Sequence, residues 1–164
     1  MLYFSVCDSP LGEITLFSDG ASLCALHLAG QKHGFPKGEA LRKDDFPLFA
    51  EVKKWLQEYF AGKNPSAEKI PLAPVGSEFQ KLIWGYLREI PYGETVTYGA
   101  LAARAAKEMG KKAMSAQAVG GAVGRNPVSI IVPCHRVVGA NGKLTGYDGG
   151  LDKKIWLLEH EKTR

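Results

Sequence analysis

The segment at residues 115–125, SAQAVGGAVGR, constrains the fold more than any other, because it is built almost entirely from Ala, Gly and Val. It follows a helical pattern at residues 97–109, TYGALAARAAKEM, after a short Gly-containing connection. Two helices joined in this way are typical of a helix-turn-helix. A second helix of small residues lets another backbone approach closely. That backbone is either a packed protein neighbour or the sugar-phosphate wall of a DNA groove.

The first half of the chain indicates short strands followed by one helix. Three apolar segments near the N-terminus, LYFSV, EITLFS and SLCALHL, are separated by turn sequences and predict β-strands. Residues 30–45 are polar and rich in Gly and Lys, so we expect a loop there. A helix is predicted next, because large apolar residues recur at helical spacing. These residues are Leu48, Phe49, Val52, Trp55, Leu56, Tyr59 and Phe60. Residues 70–76, IPLAPVG, are interrupted by proline and favour a connector between two units.

The second half of the chain is predicted to be mainly helical. Ser77 precedes Gln80 by three residues, the spacing of a capping box, and begins a helical pattern that runs to Ile90. The helix-turn-helix pattern follows, and Asn126 with Pro127 ends its second helix. The last predicted helix, LDKKIWLLEHE, comes after the glycine-rich sequence TGYDGG.

Length, composition and charge limit the class of protein to which this chain can belong. The 164 residues, 45% of them hydrophobic and 23% charged, are enough for one or two small globular domains. No stretch approaches the ~20 apolar residues of a membrane span, and the N-terminus lacks a signal-peptide pattern. We therefore expect an intracellular, cytoplasmic protein with no membrane partner, whose three scattered cysteines are free thiols. Residues 98–164 carry 11 Lys or Arg and 5 Asp or Glu. This balance suits a polyanion such as nucleic acid, or simply a soluble basic protein.

Cys134 is the strongest candidate for chemistry. The apolar, strand-like run at residues 130–132 leads through a proline to Cys134 and His135. A lone Cys usually behaves as a small buried hydrophobe. An adjacent His, however, can accept the thiol proton, and a carboxylate can orient that His. Glu159 or Glu161 can supply the carboxylate, and the residues alone leave a structural and a nucleophilic Cys134 both open.

Several motifs together cover essentially the whole chain. They are DSPLG near the start, PYGETVTYGALA, AVGGAVGRNPVSIIVPCHRVVG, TGYDGG and KIWLLEHE. In these motifs the chain resembles the O6-alkylguanine-DNA alkyltransferases, also called methylated-DNA–protein-cysteine methyltransferases. The resemblance implies an α/β N-terminal domain of the RNase-H-like type at residues 1–73. It also implies a mainly α C-terminal domain, winged-helix-like with a helix-turn-helix, at residues 74–164.

The resemblance implies DNA repair by direct, irreversible and stoichiometric transfer of an alkyl group from O6-alkylguanine to the protein's own cysteine. O4-alkylthymine is a second candidate substrate. Cys134 matches the alkyl acceptor, His135 the base that takes the thiol proton through water, and Glu161 the acid that orients His135. Asn126 matches a residue that supports the active-site loop, and Tyr98 matches a phenol beside the guanine.

The implied partner is double-stranded DNA containing O6-alkylguanine, bound through the minor groove by a monomer. Because a duplex hides the O6 atom, the damaged base must leave the stack. The residues implied to contact DNA are Thr97, Tyr98, Ala116, Gln117, Ala118, Gly120 and Arg125. Arg136 belongs to the same motif and is expected to be structural. No cofactor and no metal are expected, since Cys7, Cys24 and His27 have a spacing that fits no compact zinc motif.

The chain departs from the family at Gln117, where an Arg usually fills the gap left by the flipped base. Glutamine can hydrogen-bond an orphaned base, but it has no charge and stacks less well than a guanidinium group. The connection before this helix also looks longer than usual. Its Lys107, Lys111 and Lys112 either contact phosphates or belong to a solvated loop. We expect Gln117→Arg to speed the repair of duplex DNA.

Three other functions fit the residues less well. Non-catalytic lesion-binding relatives lack the cysteine, whereas Cys134 is present. A Cys–His hydrolase needs an oxyanion hole, and nothing besides Cys134 and His135 supports one. A helix-turn-helix regulator should carry Arg, Asn or Gln toward base edges in the major groove, whereas this second helix is mainly Ala and Gly.

Overall fold

A computed structural model describes residues 1–162, so positions 163 and 164 of the predicted C-terminal domain lie outside the described residues. The strands within this range are β1 (Leu2–Cys7), β2 (Ile14–Ser18), β3 (Leu23–His27), β4 (Ala40–Arg42), β5 (Val96–Thr97) and β6 (Val137–Val138). The α-helices are α1 (Pro47–Phe60), α2 (Glu78–Leu87), α3 (Tyr98–Glu108), α4 (Ala116–Gly124) and α5 (Leu151–Lys162). The first four strands and α1 form an α/β N-terminal unit, and the other elements form a mainly helical C-terminal unit, as the sequence predicts.

The N-terminal unit contains one sheet with the strand order β3-β2-β1-β4. Strand β2 runs antiparallel to both of its neighbours, and Leu16 lies opposite Ser5 on one side and Leu26 on the other. Alternate residues of β2, namely Ile14, Leu16 and Ser18, are buried on one face, as the period of two in a strand requires. All five residues of β3 are buried, which places this edge strand inside the molecule.

The prediction of a loop over residues 30–45 is wrong at strand β4. Its three residues, Ala40–Arg42, pair in parallel with residues 2–4 of β1. Three residues are too few for a periodic pattern, and the segment is polar, so its sequence carries no strand signal. The strand forms because β1 offers it a free edge, which is a tertiary effect.

Hydroxyl side chains cap the first three helices of the C-terminal unit. Ser77 and Gln80 form the predicted capping box of α2, in which the Ser77 hydroxyl accepts from the Gln80 amide and the Gln80 side chain accepts from the Ser77 amide. The Thr97 hydroxyl accepts from the Ala100 amide at 3.0 Å and caps α3. The Ser115 hydroxyl accepts from the Ala118 amide at 2.8 Å and begins α4. Each cap satisfies a backbone N–H that the first helical turn leaves unpaired.

Helices α3 and α4 form the predicted helix-turn-helix, and α4 also packs on α2. The buried face of α4 consists of Val119, Ala122 and Val123. Trp84 of α2 donates its indole N–H to the Ala122 carbonyl oxygen at 2.8 Å, an approach that the small side chain allows. The opposite face of α4, with Gln117 and Gly121, is exposed. The small residues of α4 therefore serve protein packing on one side and leave the other side open.

Backbone hydrogen bonds join the two units at the edge of β3. The Leu26 amide donates to the Pro127 carbonyl at 2.9 Å, and the Leu26 carbonyl accepts from the Ser129 amide at 3.1 Å. Gly34 also packs on this loop with a φ of +83°, and a Cβ atom there would lie 2.8 Å from Pro127 Cα. The close approach and the left-handed backbone both require glycine. The loop after α4 thus extends the N-terminal sheet.

Across residues 1–162, no helix is both long enough and apolar enough to cross a bilayer. Cys7, Cys24 and Cys134 are free thiols, of which Cys24 and Cys134 are buried.

Candidate active site

The apolar run at residues 130–132 is a buried turn and not the strand-like segment that the sequence indicated. The Ile131 amide donates to the Ser129 carbonyl at 2.8 Å, and Ile130 between them has a φ of 69°. This geometry is a γ-turn of the rarer, strained hand. A β-branched residue seldom adopts a positive φ, so surrounding contacts must hold the strain. A run of three apolar residues does not distinguish a buried turn from a strand.

Pro133 directs the chain into Cys134. Its φ of −80° and ψ of 67° are those of an inverse γ-turn. The Cys134 amide closes that turn with a hydrogen bond of 2.8 Å to the Val132 carbonyl. Because the proline ring fixes φ, this turn holds Cys134 at the start of the short 3-10 helix Cys134–Arg136.

The Asn126 side chain stabilises the two γ-turns through hydrogen bonds to the backbone of the loop. It is buried, and its amide group donates to the Val132 carbonyl at 2.8 Å and to the Val128 carbonyl at 3.3 Å. Its side-chain oxygen accepts from the Val128 amide at 3.0 Å. One side chain therefore satisfies three buried backbone groups, and Asn126 supports the loop that carries Cys134.

Cys134 is buried, and burial opposes ionisation of its thiol. Burial raises the pKa of its thiol, and contacts with the side chains of Asn126 and Tyr147, together with the charge of Lys154, offset part of that rise. The Tyr147 hydroxyl is buried and makes no hydrogen bond of standard geometry within residues 1–162, so its contact with the thiol is long or poorly aligned. A reactive thiolate at Cys134 consequently depends on groups that accept its proton or stabilise its charge.

His135 and Glu161 form a buried acid–base pair beside Cys134. His135 Nε2 lies 2.6 Å from Glu161 Oε2, and both side chains are shielded from solvent. Because the Glu161 carboxylate accepts, the hydrogen of the neutral imidazole resides on Nε2. The other ring nitrogen, Nδ1, is buried with no hydrogen-bond partner among the described residues. Burial lowers the pKa of His135, although Glu161 acts in the opposite direction, so His135 is neutral and Nδ1 can accept a proton.

The Glu161 carboxylate accepts from three further groups. Arg136 donates to Oε1 from Nε at 2.8 Å and to Oε2 from its terminal NH₂ at 3.1 Å. The Tyr59 hydroxyl donates to Oε2 at 2.6 Å, and the Gly93 amide donates to Oε1 at 3.2 Å. Burial acts to raise the pKa of this carboxyl, but His135 and Arg136 outweigh it and hold the pKa well below its usual range. Glu161 therefore stays ionised and fixed.

The structure distinguishes between the two carboxylates that the sequence left open. Glu159 is exposed and pairs with Lys162 at 3.2 Å, whereas Glu161 reaches His135. Arg136 has the structural position that was expected, because it bonds Glu161 and also donates to the Ile90 carbonyl at 2.7 Å.

Cys134 opens onto a cavity of about 690 Å³, within the range of about 300–1,000 Å³ typical of ligand pockets. Its walls come from the helix-turn-helix, the Cys134 loop and the segment before α5. Its lining includes Tyr98, Gln117, Asn126, Cys134, Tyr147 and Asp148. Tyr98 lies at this wall with its hydroxyl accepting a hydrogen bond from Thr145 at 3.2 Å. Glycines and an alanine form much of the remaining wall and leave room for a planar ring.

The residues predicted to contact DNA lie in two positions. Those that line the cavity are Tyr98, Ala116, Gln117, Gly120 and Arg125. Thr97 and Ala118 lie outside its lining, at the start of α3 and on the exposed part of α4. Lys107, Lys111 and Lys112 are exposed and border a second groove, between α3 and the start of α4. These placements leave the predicted contacts as predictions.

The N-terminal unit reaches the cavity through the loop after β3. The His33 ring and backbone amide both bond to the Asp148 carboxylate at 2.8 Å. The Ser129 hydroxyl donates to the Gln31 side chain at 2.9 Å. Residues 31–33 therefore tie together the Cys134 loop and the segment that carries Tyr147.

Sequence reasoning missed Tyr59, Tyr147 and Lys154. Tyr59 fitted the apolar stripe of α1, and only the tertiary fold directs its hydroxyl to Glu161. Lys154 is buried, with 1% of its surface exposed, although a lysine in a charged helix is normally solvated. For Tyr147 a signal existed, because it lies in the glycine-rich TGYDGG sequence.

The described residues offer no cluster of metal ligands. Within residues 1–162, no three His, Cys, Asp or Glu side chains cluster as a metal site would need. His27 instead bonds the Gly34 carbonyl through Nε2 at 2.9 Å. The expectation of no metal and no cofactor stays a prediction.

Two protein-family models match the chain. The ribonuclease-like domain of 6-O-methylguanine DNA methyltransferase matches residues 2–74. The DNA-binding domain of 6-O-methylguanine DNA methyltransferase matches residues 78–163. Together they cover nearly all of the sequence.

Relatives and solved structures agree with these matches. The methylated-DNA–protein-cysteine methyltransferase of Haemophilus influenzae is 42% identical over 161 residues, covering 98% of this chain and 87% of the relative. That of Methanosarcina acetivorans is 46% identical over 161 residues, covering 98% of both chains. The structure of Mycobacterium tuberculosis OGT in complex with DNA has a TM-score of 0.84 and 40% identity, covering 98% of this chain and 93% of that one. The M. tuberculosis O6-methylguanine methyltransferase has a TM-score of 0.82 and 40% identity, covering 100% and 94%.

Proposed function

The chain belongs to the 6-O-methylguanine DNA methyltransferase family, and we propose that it repairs DNA by direct transfer of an alkyl group from O6-alkylguanine to Cys134. Its activity is that of a methylated-DNA–protein-cysteine S-methyltransferase. O4-alkylthymine is a second candidate substrate. The observation that carries the proposal is a buried cysteine at a base-sized cavity, next to a histidine held by an ionised carboxylate.

The mechanism begins with deprotonation of the thiol. His135 Nδ1 takes the Cys134 proton through a water molecule, and Glu161 holds the imidazole in the required tautomer. The resulting imidazolium is stabilised by the Glu161 carboxylate. Asn126 keeps the Cys134 loop in place during the reaction.

Transfer of the alkyl group is a displacement at a saturated carbon. A sulfur lone pair forms the S–C bond as the C–O6 bond breaks, and the electrons of that bond move onto the guanine. Tyr98 donates a hydrogen bond to the departing base, which makes it a better leaving group. The proton taken from the thiol ends on the guanine, so the net products are guanine and an S-alkyl cysteine. The thioether is stable, and each molecule reacts once.

Binding requires double-stranded DNA from which the damaged base is extruded. We infer that the exposed face of α4 lies in the minor groove, because its small residues permit close approach of a backbone. The contacts are assigned to Thr97, Ala116, Ala118, Gly120 and Arg125, besides Tyr98 and Gln117. Gln117 would occupy the space that the flipped base leaves.

Three further properties belong to the proposal. The domain boundary lies between residues 73 and 74, in the proline-interrupted connector. The protein acts as a monomer. It works in the cytoplasm, where reducing conditions keep the free thiols of Cys7, Cys24 and Cys134 available.

Stoichiometry tests the proposed function. The protein is incubated with excess duplex oligonucleotide that contains one O6-methylguanine, and the remaining lesion is measured by chromatography of the nucleosides. We expect one lesion removed per protein molecule and none by Cys134→Ser. Repeated turnover would identify a hydrolase instead, and an unchanged lesion level would reject repair.

A further inference from the structure

Lys154 is a buried charge that the mechanism above does not use. It lies in the first turn of α5, and only 1% of its surface is exposed. In the part of the chain that the structure describes, no carboxylate lies within ion-pair distance of its ammonium group. A buried cation without a counterion is costly, so its position implies that another group compensates the charge.

The groups that face Lys154 belong to the active site. Its Nζ lies 5.7 Å from the centroid of the Tyr98 ring, a distance at which the π face attracts a cation. Its charge also acts on Cys134 and on His135. Glu161, the buried carboxylate of the site, already accepts from other donors.

Burial affects Lys154 and Cys134 in complementary ways. It lowers the pKa of the lysine and raises the pKa of the thiol, and in each case the other group acts against the effect of burial. Tyr147 is the other ionisable group against the thiol, and burial raises its pKa, so it stays neutral. An ammonium–thiolate pair would therefore satisfy the two groups that burial leaves uncompensated.

We propose that Lys154 is the fixed cation that stabilises the thiolate of Cys134, so that the acid–base pair of His135 and Glu161 can deprotonate a buried thiol. The inference rests on the proposed function, since it assigns Lys154 a part in that reaction. Lys154 acts through Cys134, which makes it a positioning residue.

The movement of charge during alkyl transfer is consistent with Lys154 as a fixed cation. Lys154 stays protonated throughout, while the thiol proton passes to His135. When the S–C bond forms, the negative charge leaves sulfur for the guanine, which lies on the Tyr98 side of the cavity. A fixed cation that faces the Tyr98 ring and whose charge acts on Cys134 stabilises the thiolate without reorganising.

Substitution of Lys154 distinguishes a role in stabilising the thiolate from a purely structural role. Lys154→Met removes the charge but keeps a long flexible side chain, and Lys154→Arg keeps the charge. Lys153→Met is the matched control, because it removes one positive charge from the neighbouring, half-buried position. Folding of each variant is checked by circular dichroism and thermal unfolding.

Reactivity of Cys134 toward iodoacetamide measures the thiolate without DNA. The rate is followed from pH 5 to 10 by mass spectrometry of the Cys134 peptide. We expect Lys154→Met to move the Cys134 profile to higher pH and to lower the rate at pH 7 on the order of tenfold. Lys154→Arg should retain most of the rate, and Lys153→Met should match the wild type. An unmoved profile in folded Lys154→Met would overturn the proposal.

Methyl transfer from duplex O6-methylguanine provides the second readout. Its rate in Lys154→Met should fall at neutral pH and recover as the pH rises, since the thiolate then forms without the cation. A loss of equal size at every pH would show a structural role only. If the wild type transfers no methyl group, the proposed function fails, while the iodoacetamide profile still decides the role of Lys154.

A measurement on the wild type covers the case in which Lys154→Met does not fold. The Lys154 side-chain nitrogen is followed by NMR through a pH titration, before and after methylation of Cys134 by methyl iodide. Removal of the thiolate should lower the pKa of Lys154. An identical titration in the two forms would contradict the ammonium–thiolate pair.

Discussion

The Tyr59 hydroxyl donates a hydrogen bond of 2.6 Å to Glu161 Oε2, the same oxygen that accepts from His135. Tyr59 lies on α1 of the N-terminal unit, whereas Glu161 and His135 lie in the C-terminal unit. The N-terminal unit is therefore part of the framework that holds the candidate base, in addition to the contacts of residues 31–33 with the loops around Cys134.

Tyr59→Phe should weaken this framework while keeping the aromatic ring. Loss of one donor makes the Glu161 carboxylate more basic, and Glu161 acts to raise the pKa of His135. We expect the pH dependence of methyl transfer to move to higher pH, and the free energy of unfolding to fall by about 1–3 kcal/mol. Single-turnover rates from pH 5.5 to 9 and urea denaturation check both effects. Tyr86→Phe is the control, since it removes a tyrosine–glutamate hydrogen bond with Glu108 outside the site; identical profiles for the two variants would refute the role of Tyr59.

Glu161→Gln should destabilise the protein strongly at neutral pH. It leaves the Arg136 guanidinium group buried without its countercharge, which costs about 3–5 kcal/mol. In the folded wild type the pKa of Glu161 is held below the ordinary value of 4.5. The stabilisation by Glu161 is therefore present above pH 4.5 and is lost as the pH falls below it. The difference in unfolding free energy between wild type and variant, measured by urea denaturation, should shrink on acidification, and a constant difference would be inconsistent with this pairing.

Asn126→Ala should loosen the Cys134 loop. Three backbone groups lose their partner, namely the carbonyls of Val128 and Val132 and the amide of Val128. We expect a loss of about 2–3 kcal/mol in unfolding free energy and slower methyl transfer, because the γ-turns that hold Cys134 relax. Hydrogen exchange of the Cys134 amide reports the loosening directly. Unchanged exchange would mean that the turns are held by other contacts.

Gln117→Arg should speed the repair of duplex DNA, because a guanidinium group carries a charge and stacks better than the glutamine amide. Gln117 is exposed on α4 at the edge of the cavity, so the substitution should not disturb folding. The free base O6-methylguanine, which needs no extrusion, serves as the control substrate and should react at the same rate with both proteins. Equal rates on duplex DNA as well would count against a gap-filling position for residue 117.

Local sequence signals predicted most of the helical architecture. The Ser77 cap was predicted from the sequence, and Thr97 and Ser115, which were not identified as caps, begin α3 and α4 through equally local contacts. Because caps and amphipathic spacing depend on nearby residues, they can be recognised in a single sequence.

The missed features depend on distant contacts. Strand β4 forms because β1 offers it an unpaired edge. Residues 130–132 form a turn because the Asn126 side chain, and not a neighbouring strand, bonds to their backbone. The hydroxyl of Tyr59 and the ammonium group of Lys154 are directed by packing between elements far apart in the chain. No local pattern records these directions, although the adjacency of Cys134 and His135 did indicate the centre of the site.

The identity of the atom that receives the methyl group decides whether Cys134 is the acceptor. The protein is incubated with duplex DNA containing O6-methylguanine that carries a ¹³C-labelled methyl, digested and analysed by mass spectrometry. Cys7 and Cys24 serve as internal controls within the same molecule. Direct transfer predicts a single labelled methyl group on Cys134 and none on the other two cysteines. A label on another residue, or repair of the DNA with Cys134 unmodified, would contradict it.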